Sequence, residues 1–161
     1  MKKKNFYILS IIFLLLTGCA GYEPIFGSKN LDFKISNYTI EGDEKLGNKI
    51  YSKLHSLTKK NNEGPDTKSI DVLINITKDK VATTKDSAGK ILEYKITLYS
   101  IIDIKNYLTE EKILYESTNT SITYKTEDQY SETLNSENKS IENLINNIYQ
   151  RLLIKLSESI I

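Results

Sequence analysis

Hydrophobic and polar positions alternate along most of this chain, and elsewhere the apolar residues recur at helical spacing. Leu31, Phe33 and Ile35 alternate with Asp32, Lys34 and Ser36. A period of two predicts a half-buried strand over residues 31–40. Gly42 and Asp43 break it, and the Asp43 carboxylate is suited to accept bonds from the free amides of a first helical turn. Leu46, Ile50, Leu54 and Leu57 then fall on one side, with Tyr51 beside them. That stripe predicts a helix over residues 43–60, with Lys59 and Lys60 at the negative end of its dipole. Residues 61–67 carry Asn, Gly and Pro and read as a loop.

The second strand is the cleanest. Ile70, Val72, Ile74 and Ile76 share one face, with Asp71, Asn75 and Thr77 on the other and Leu73 as the exception. It extends to about Thr84. The turn Asp86-Ser87-Ala88-Gly89 follows, flanked by Lys85 and Lys90. Leu92, Tyr94, Ile96, Leu98, Ile102 and Ile104 form the next alternating face, interrupted by Ser100. Residues 106–111 make a charged turn, and residues 112–125 form a fourth strand rich in Thr, Ser and Tyr, with the weakest alternation. Ile141, Leu144, Ile145, Ile148, Leu152 and Leu156 lie at helical spacing within a helix from near Asp128 to about Ser157. Its polar first third, residues 129–140, is expected to project or fray.

The order is therefore β-α-β-β-β-α. Each helix has one apolar stripe, so both must lie on a sheet. The expected fold is α+β: a two-layer sandwich of a four-stranded, mainly antiparallel sheet with two helices on one face. Residues 31–161 form one domain, with Ile50, Leu54, Ile74, Ile96, Ile145 and Ile148 at the centre of the core.

Composition narrows the chemistry. Of 161 residues, 22 are basic and 21 acidic, for a formal net charge of +1. Such a balance lacks the positive field that a nucleic-acid partner requires. Arg151 is the only arginine, and Ile and Asn are abundant, which reflects compositional drift and lowers the weight of any single surface lysine. Cys19 and His55 are the only Cys and His. That excludes an intrachain disulfide framework and the usual Cys/His zinc patterns. His55 reads as a surface or boundary residue. Glu110 and Glu111 are neighbours in a turn rather than an opposed pair for acid–base hydrolysis. No catalytic residues, metal or cofactor are expected, and the chain reads as a non-enzyme.

The amino terminus reads as an address. Lys2, Lys3 and Lys4 precede an apolar run over residues 6–16. A bilayer core ~30 Å thick needs ~20 apolar residues to span it. A shorter run behind positive charge reads as a secretory signal. Leu16-Thr17-Gly18-Cys19 resembles the lipobox of bacterial lipoproteins. The resemblance implies a diacylglycerol on the Cys19 sulfur, cleavage before Cys19 and acylation of the new amino terminus. Two or three acyl chains anchor stably where one does not. Residues 1–18 are then a cleaved signal peptide, and residues 19–30 are the lipidated Cys19 and a tether. Ala20, in place of the Asp that retains enteric lipoproteins in the inner membrane, points by analogy to the periplasmic face of the outer membrane.

Further motifs follow in order. Gly21-Tyr22-Glu23-Pro24-Ile25-Phe26 comes after the lipobox, and Ile40-Glu41-Gly42-Asp43 precedes the first helix. Asp86-Ser87-Ala88-Gly89 precedes a strand with Tyr94. In that order they resemble the lipopolysaccharide-assembly lipoproteins of the LptE family, alphaproteobacterial type. The resemblance implies two helices on a four-stranded sheet and a non-enzymatic role. It implies a lipoprotein that plugs and supports a large outer-membrane β-barrel, the LptD translocon, and binds lipopolysaccharide. Within that frame Lys85 and Lys90, on a basic hairpin tip, are candidate lipid-binding residues, because lysine meets phosphate as a point charge. The tyrosines either cover sheet rims or mark a sheet face that packs inside a partner. The alternatives are a lipid-anchored adaptor subunit of another envelope complex and, less favoured by the residues, a lipid-anchored envelope enzyme.

Overall fold

A computed structural model describes residues 33–58 and 67–160. Cys19, the tether and Leu31 lie outside the described residues. Six elements follow in the expected order: β1 (Phe33–Gly42), α1 (Glu44–Thr58), β2 (Lys68–Lys85), β3 (Ile91–Asn106), β4 (Lys112–Lys125) and α2 (Tyr130–Ile160). The strands lie side by side as β1-β2-β3-β4. The β2, β3 and β4 strands form an antiparallel meander, while β1 runs parallel to β2 because α1 carries the chain back across the sheet between them.

The start of α1 shows how local sequence sets this geometry. Gly42 has φ of +81°, and a Cβ there would lie 2.2 Å from the Ile76 carbonyl oxygen. Only glycine fits such an approach. The next amide, Asp43 N–H, donates to that same carbonyl at 2.7 Å. The Asp43 carboxylate accepts from Leu46 N–H at 3.1 Å, the expected helix cap. One turn on, a Cβ at Gly47 would meet the Ile40 side chain at 2.3 Å, so this glycine lets α1 lie close against β1.

The core lies between the two helical stripes and one face of the sheet. Ile50, Leu54, Ile74, Ile96, Ile145 and Ile148, its expected centre, are all buried. Ser100, which interrupts the apolar face of β3, is buried too, and its hydroxyl donates to the Thr118 carbonyl at 3.4 Å. Leu73 breaks the pattern of β2 because it belongs to the opposite face of the sheet.

Two expectations need correction. A bulge between Ile35 and Asn37 shifts the register of β1, placing Tyr38 and Ile40 opposite the core residues Val72 and Ile74. Tyr38 then stacks on Tyr51 of α1, with ring centroids 4.0 Å apart. The first third of α2 does not project: Ser140 is buried, and the Glu137 carboxylate docks on β2 and β4.

Candidate functional site

Both helices pack on one face of the sheet, so among the described residues the other face is uncovered. Register places its side chains row by row. Thr77, Tyr99 and Asn119 form one row, Asn75, Ile101 and Ser117 the next, and Leu73, Asp103 and Tyr115 a third. Tyr99 is 48% exposed, Ile101 36% and Tyr115 50%. At the β1 edge Glu41 accepts from the Asn75 amide at 2.8 Å. A shallow depression of about 470 Å³ lies over the first two rows. Asp103 is unusual within this surface. Its Oδ2 is 4.0 Å from Lys105, while its Oδ1 is buried and has no hydrogen-bond partner among the described residues. A buried carboxylate oxygen without a donor is costly in an isolated fold.

On the helix-covered face, the distal part of β2 turns polar. Lys78 and Lys80 continue the inward positions of Ile70 to Ile76, and both reach Glu137 on α2. Lys80 Nζ donates to Glu137 Oε2 at 2.6 Å, the Tyr124 hydroxyl donates to the same oxygen at 3.0 Å, and Lys78 Nζ is 3.8 Å from Oε1. Lys80 also sits over the Tyr94 ring at 4.3 Å, a cation–π contact. Burial would raise the Glu137 carboxyl pKa, but bonds from Lys80 and Tyr124 and the charges of Lys80 and Lys78 outweigh it and hold the group below the usual range. Burial likewise opposes charge on Lys80, yet the bond to Glu137 and the neighbouring Tyr124 raise its pKa above the ordinary lysine value. Burial alone lifts the Tyr149 hydroxyl.

Lys85 and Lys90 flank the β2–β3 tip. The Asp86 carboxylate organises it, accepting from Ala88 N–H at 2.9 Å and Lys90 N–H at 2.8 Å. Lys90 Nζ is 3.9 Å from Asp128 at the approach to α2, and Lys85 has no acidic partner among the described residues. The two candidates thus flank one tip, as the sequence indicated, on a backbone that Asp86 fixes. The Lys78–Lys80–Glu137 cluster was not singled out from the sequence. Its signal was there: period two continued past Ile76 reaches 78 and 80, and the α2 stripe stepped back four residues from Ile141 reaches Glu137.

Tyr94, Tyr124 and Tyr149 sit at core edges, while Tyr99 and Tyr115 occupy the open face. His55 only tilts against the Tyr51 ring, at 5.5 Å. Among the described residues, no group of three or more His, Cys, Asp or Glu converges as a metal site. No described helix is long and apolar enough to cross a membrane.

No protein-family model matches the chain, and no curated protein matches it. Solved structures do. A chain from Caulobacter crescentus CB15, assigned as a lipoprotein, superposes with a TM-score of 0.51 at 10% identity, covering 75% of this chain and 88% of that one. The minor lipoprotein of Acinetobacter baumannii gives 0.48 at 14% identity, with 78% and 93% covered. Rare lipoprotein B of Shewanella oneidensis gives 0.47 at 9%, with 76% and 92% covered. At such identities the likeness to the Caulobacter chain is one of fold: the two share this α+β sandwich.

Proposed function

We propose that this chain is a non-enzymatic outer-membrane lipoprotein, anchored through Cys19, that assists lipopolysaccharide assembly by plugging and supporting an LptD-type barrel and binding lipopolysaccharide. The observation that carries the proposal is the uncovered sheet face. Tyr99, Ile101 and Tyr115 stand on it among Ser117, Asn119, Asn75 and Thr77, beside the orphaned Asp103 oxygen. Partner surfaces favour this mixture of aromatic anchors and adaptable hydrogen-bonding groups. A barrel lumen is polar, so a plug needs a hydroxyl- and amide-rich surface rather than an oily one. The lipobox and the resemblance to the LptE family supply the membrane and the partner, and the two helices on a four-stranded sheet are the fold that the resemblance implies.

The test is affinity purification of the full chain from detergent-solubilised outer membranes. A large β-barrel should co-purify, and Tyr99→Ala with Ile101→Ala should reduce its recovery several-fold while the variant still folds. Recovery of an inner-membrane transporter instead would support the adaptor reading, and absence of any barrel would refute the proposal.

A further inference from the structure

The two ends of the sheet differ in a way that orients the molecule. Residue Phe33 starts β1 opposite Lys68, and the next residue of β2, Ser69, accepts through its carbonyl from Tyr107 N–H at 2.9 Å. The chain leading from Cys19 therefore enters the fold at the end that carries the β3–β4 tip, residues 106–111. The Lys85–Lys90 tip is at the other end of β3, whose 16 residues span roughly 50 Å.

The β3–β4 tip carries the most exposed large apolar side chain among the described residues, Leu108 at 81%, beside Tyr107 at 49%. Its amides all find acceptors, Tyr107 N–H at the Ser69 carbonyl of β2 and the others within the tip. Leu108 and Thr109 N–H donate to Asn106 Oδ1 at 2.9 and 3.1 Å. Glu110 N–H donates to the Asn106 carbonyl, Asn106 N–H to the Glu111 carbonyl, and Glu111 N–H to the Thr109 hydroxyl. Paired amides lower the cost of bringing a loop into a region poor in water, because each unsatisfied backbone group there costs several kcal/mol. Tyrosine belongs at that boundary, with its ring in the apolar zone and its hydroxyl in water. Lys105 and Lys112 are balanced by Glu110 and Glu111, so attraction to anionic headgroups is not the driving force.

We propose that the β3–β4 tip inserts Leu108 and Tyr107 into the interface of the leaflet that holds the Cys19 lipid. The proposal rests on the lipidation reading. A tether from Cys19 to Phe33 reaches at most about 50 Å when fully extended. The fold thus cannot leave the leaflet by more than that length, and the end of the fold nearest the anchor is the end with the exposed leucine.

The chain has no tryptophan, so a single introduced one is a clean probe. Full-length lipidated chain carrying Leu108→Trp or Ala88→Trp is reconstituted into phosphatidylcholine vesicles with brominated acyl chains. Trp at 108 should be blue-shifted and quenched several-fold more than Trp at 88. Because tryptophan itself favours interfaces, a third variant carries Tyr107→Trp with Leu108→Asp, and it should lose the quenching while unfolding like wild type. Equal quenching at 108 and 88 in chains that float with the vesicles overturns the proposal, as does quenching that requires anionic lipid. Wild-type chain that fails to float, as Cys19→Ser should, overturns the lipidation reading and the insertion with it.

Discussion

Removing the Glu137 carboxylate should loosen the distal half of the sandwich. Its side chain is 14% exposed, and one oxygen accepts from both Lys80 and Tyr124 while the other faces Lys78. Hydrogen bonds to a charged group contribute about 1.5–3 kcal/mol. The Lys80 side chain is 33% exposed, so water recovers part of its loss, and Glu137→Ala should cost about 2 kcal/mol. Glu137→Gln keeps a hydrogen-bonding oxygen and should cost about half as much. Urea unfolding of the chain from Ala20 onward measures both, and the pH dependence tests the cause. The folded-state pKa of Glu137 is lowered, so its stabilisation is present above the unfolded carboxyl value of ~4.3 and is lost as pH falls through the folded value. The gap between wild type and Glu137→Ala should therefore be largest near neutral pH and close in acid. A neutral-pH loss below about half a kcal/mol, within the range of ordinary surface substitutions, would refute the reasoning. So would a gap that widens as pH falls.

Leu54→Ala or Ile148→Ala should each cost about 2–5 kcal/mol by the same assay, since both side chains are buried in the core. Gly42→Ala should cost at least about 2 kcal/mol, because φ of +81° strains any side chain and its Cβ would strike the Ile76 carbonyl. Gly89→Ala, at φ of +85° but with open space around it, should cost only about 1 kcal/mol. Replacing Lys85 and Lys90 together with Ala should weaken binding to immobilised lipopolysaccharide and flatten its salt dependence with little change in thermal midpoint; equal affinity at two ionic strengths would remove both from the binding surface.

Glu142 and Glu116 illustrate a different kind of contact from Glu137. Glu142 on α2 meets Lys49 and Lys53 of α1, and those bonds hold its carboxyl below the usual range despite partial burial. Burial would raise Glu116, but bonds from Lys155 and Thr118 and the charges of Lys155 and Arg151 lower it. These pairs staple α2 to α1 and β4 beyond residue 140, while Glu137 holds down the polar first third that looked free to project.

Period and spacing were enough to place the six elements, because alternation and helical recurrence are local properties of a chain that must bury one face. They also identified the centre of the core, the Asp43 cap and the turn before Lys90. Tertiary structure decided what local pattern leaves open. Which way β1 runs beside β2, and the bulge that hands Tyr38 to Tyr51, depend on how α1 closes on the sheet. The pairing of Lys80 with Glu137 joins residues 57 apart in sequence, so no window along the chain contains both. The sequence already put both helices on one side, but which residues share the open face follows only from register, and Asp103 becomes an orphan only once Leu73 and Tyr115 are set beside it. Amphipathic pattern tells each element that it has an inside; only the assembled sheet decides which remaining surface stays uncovered.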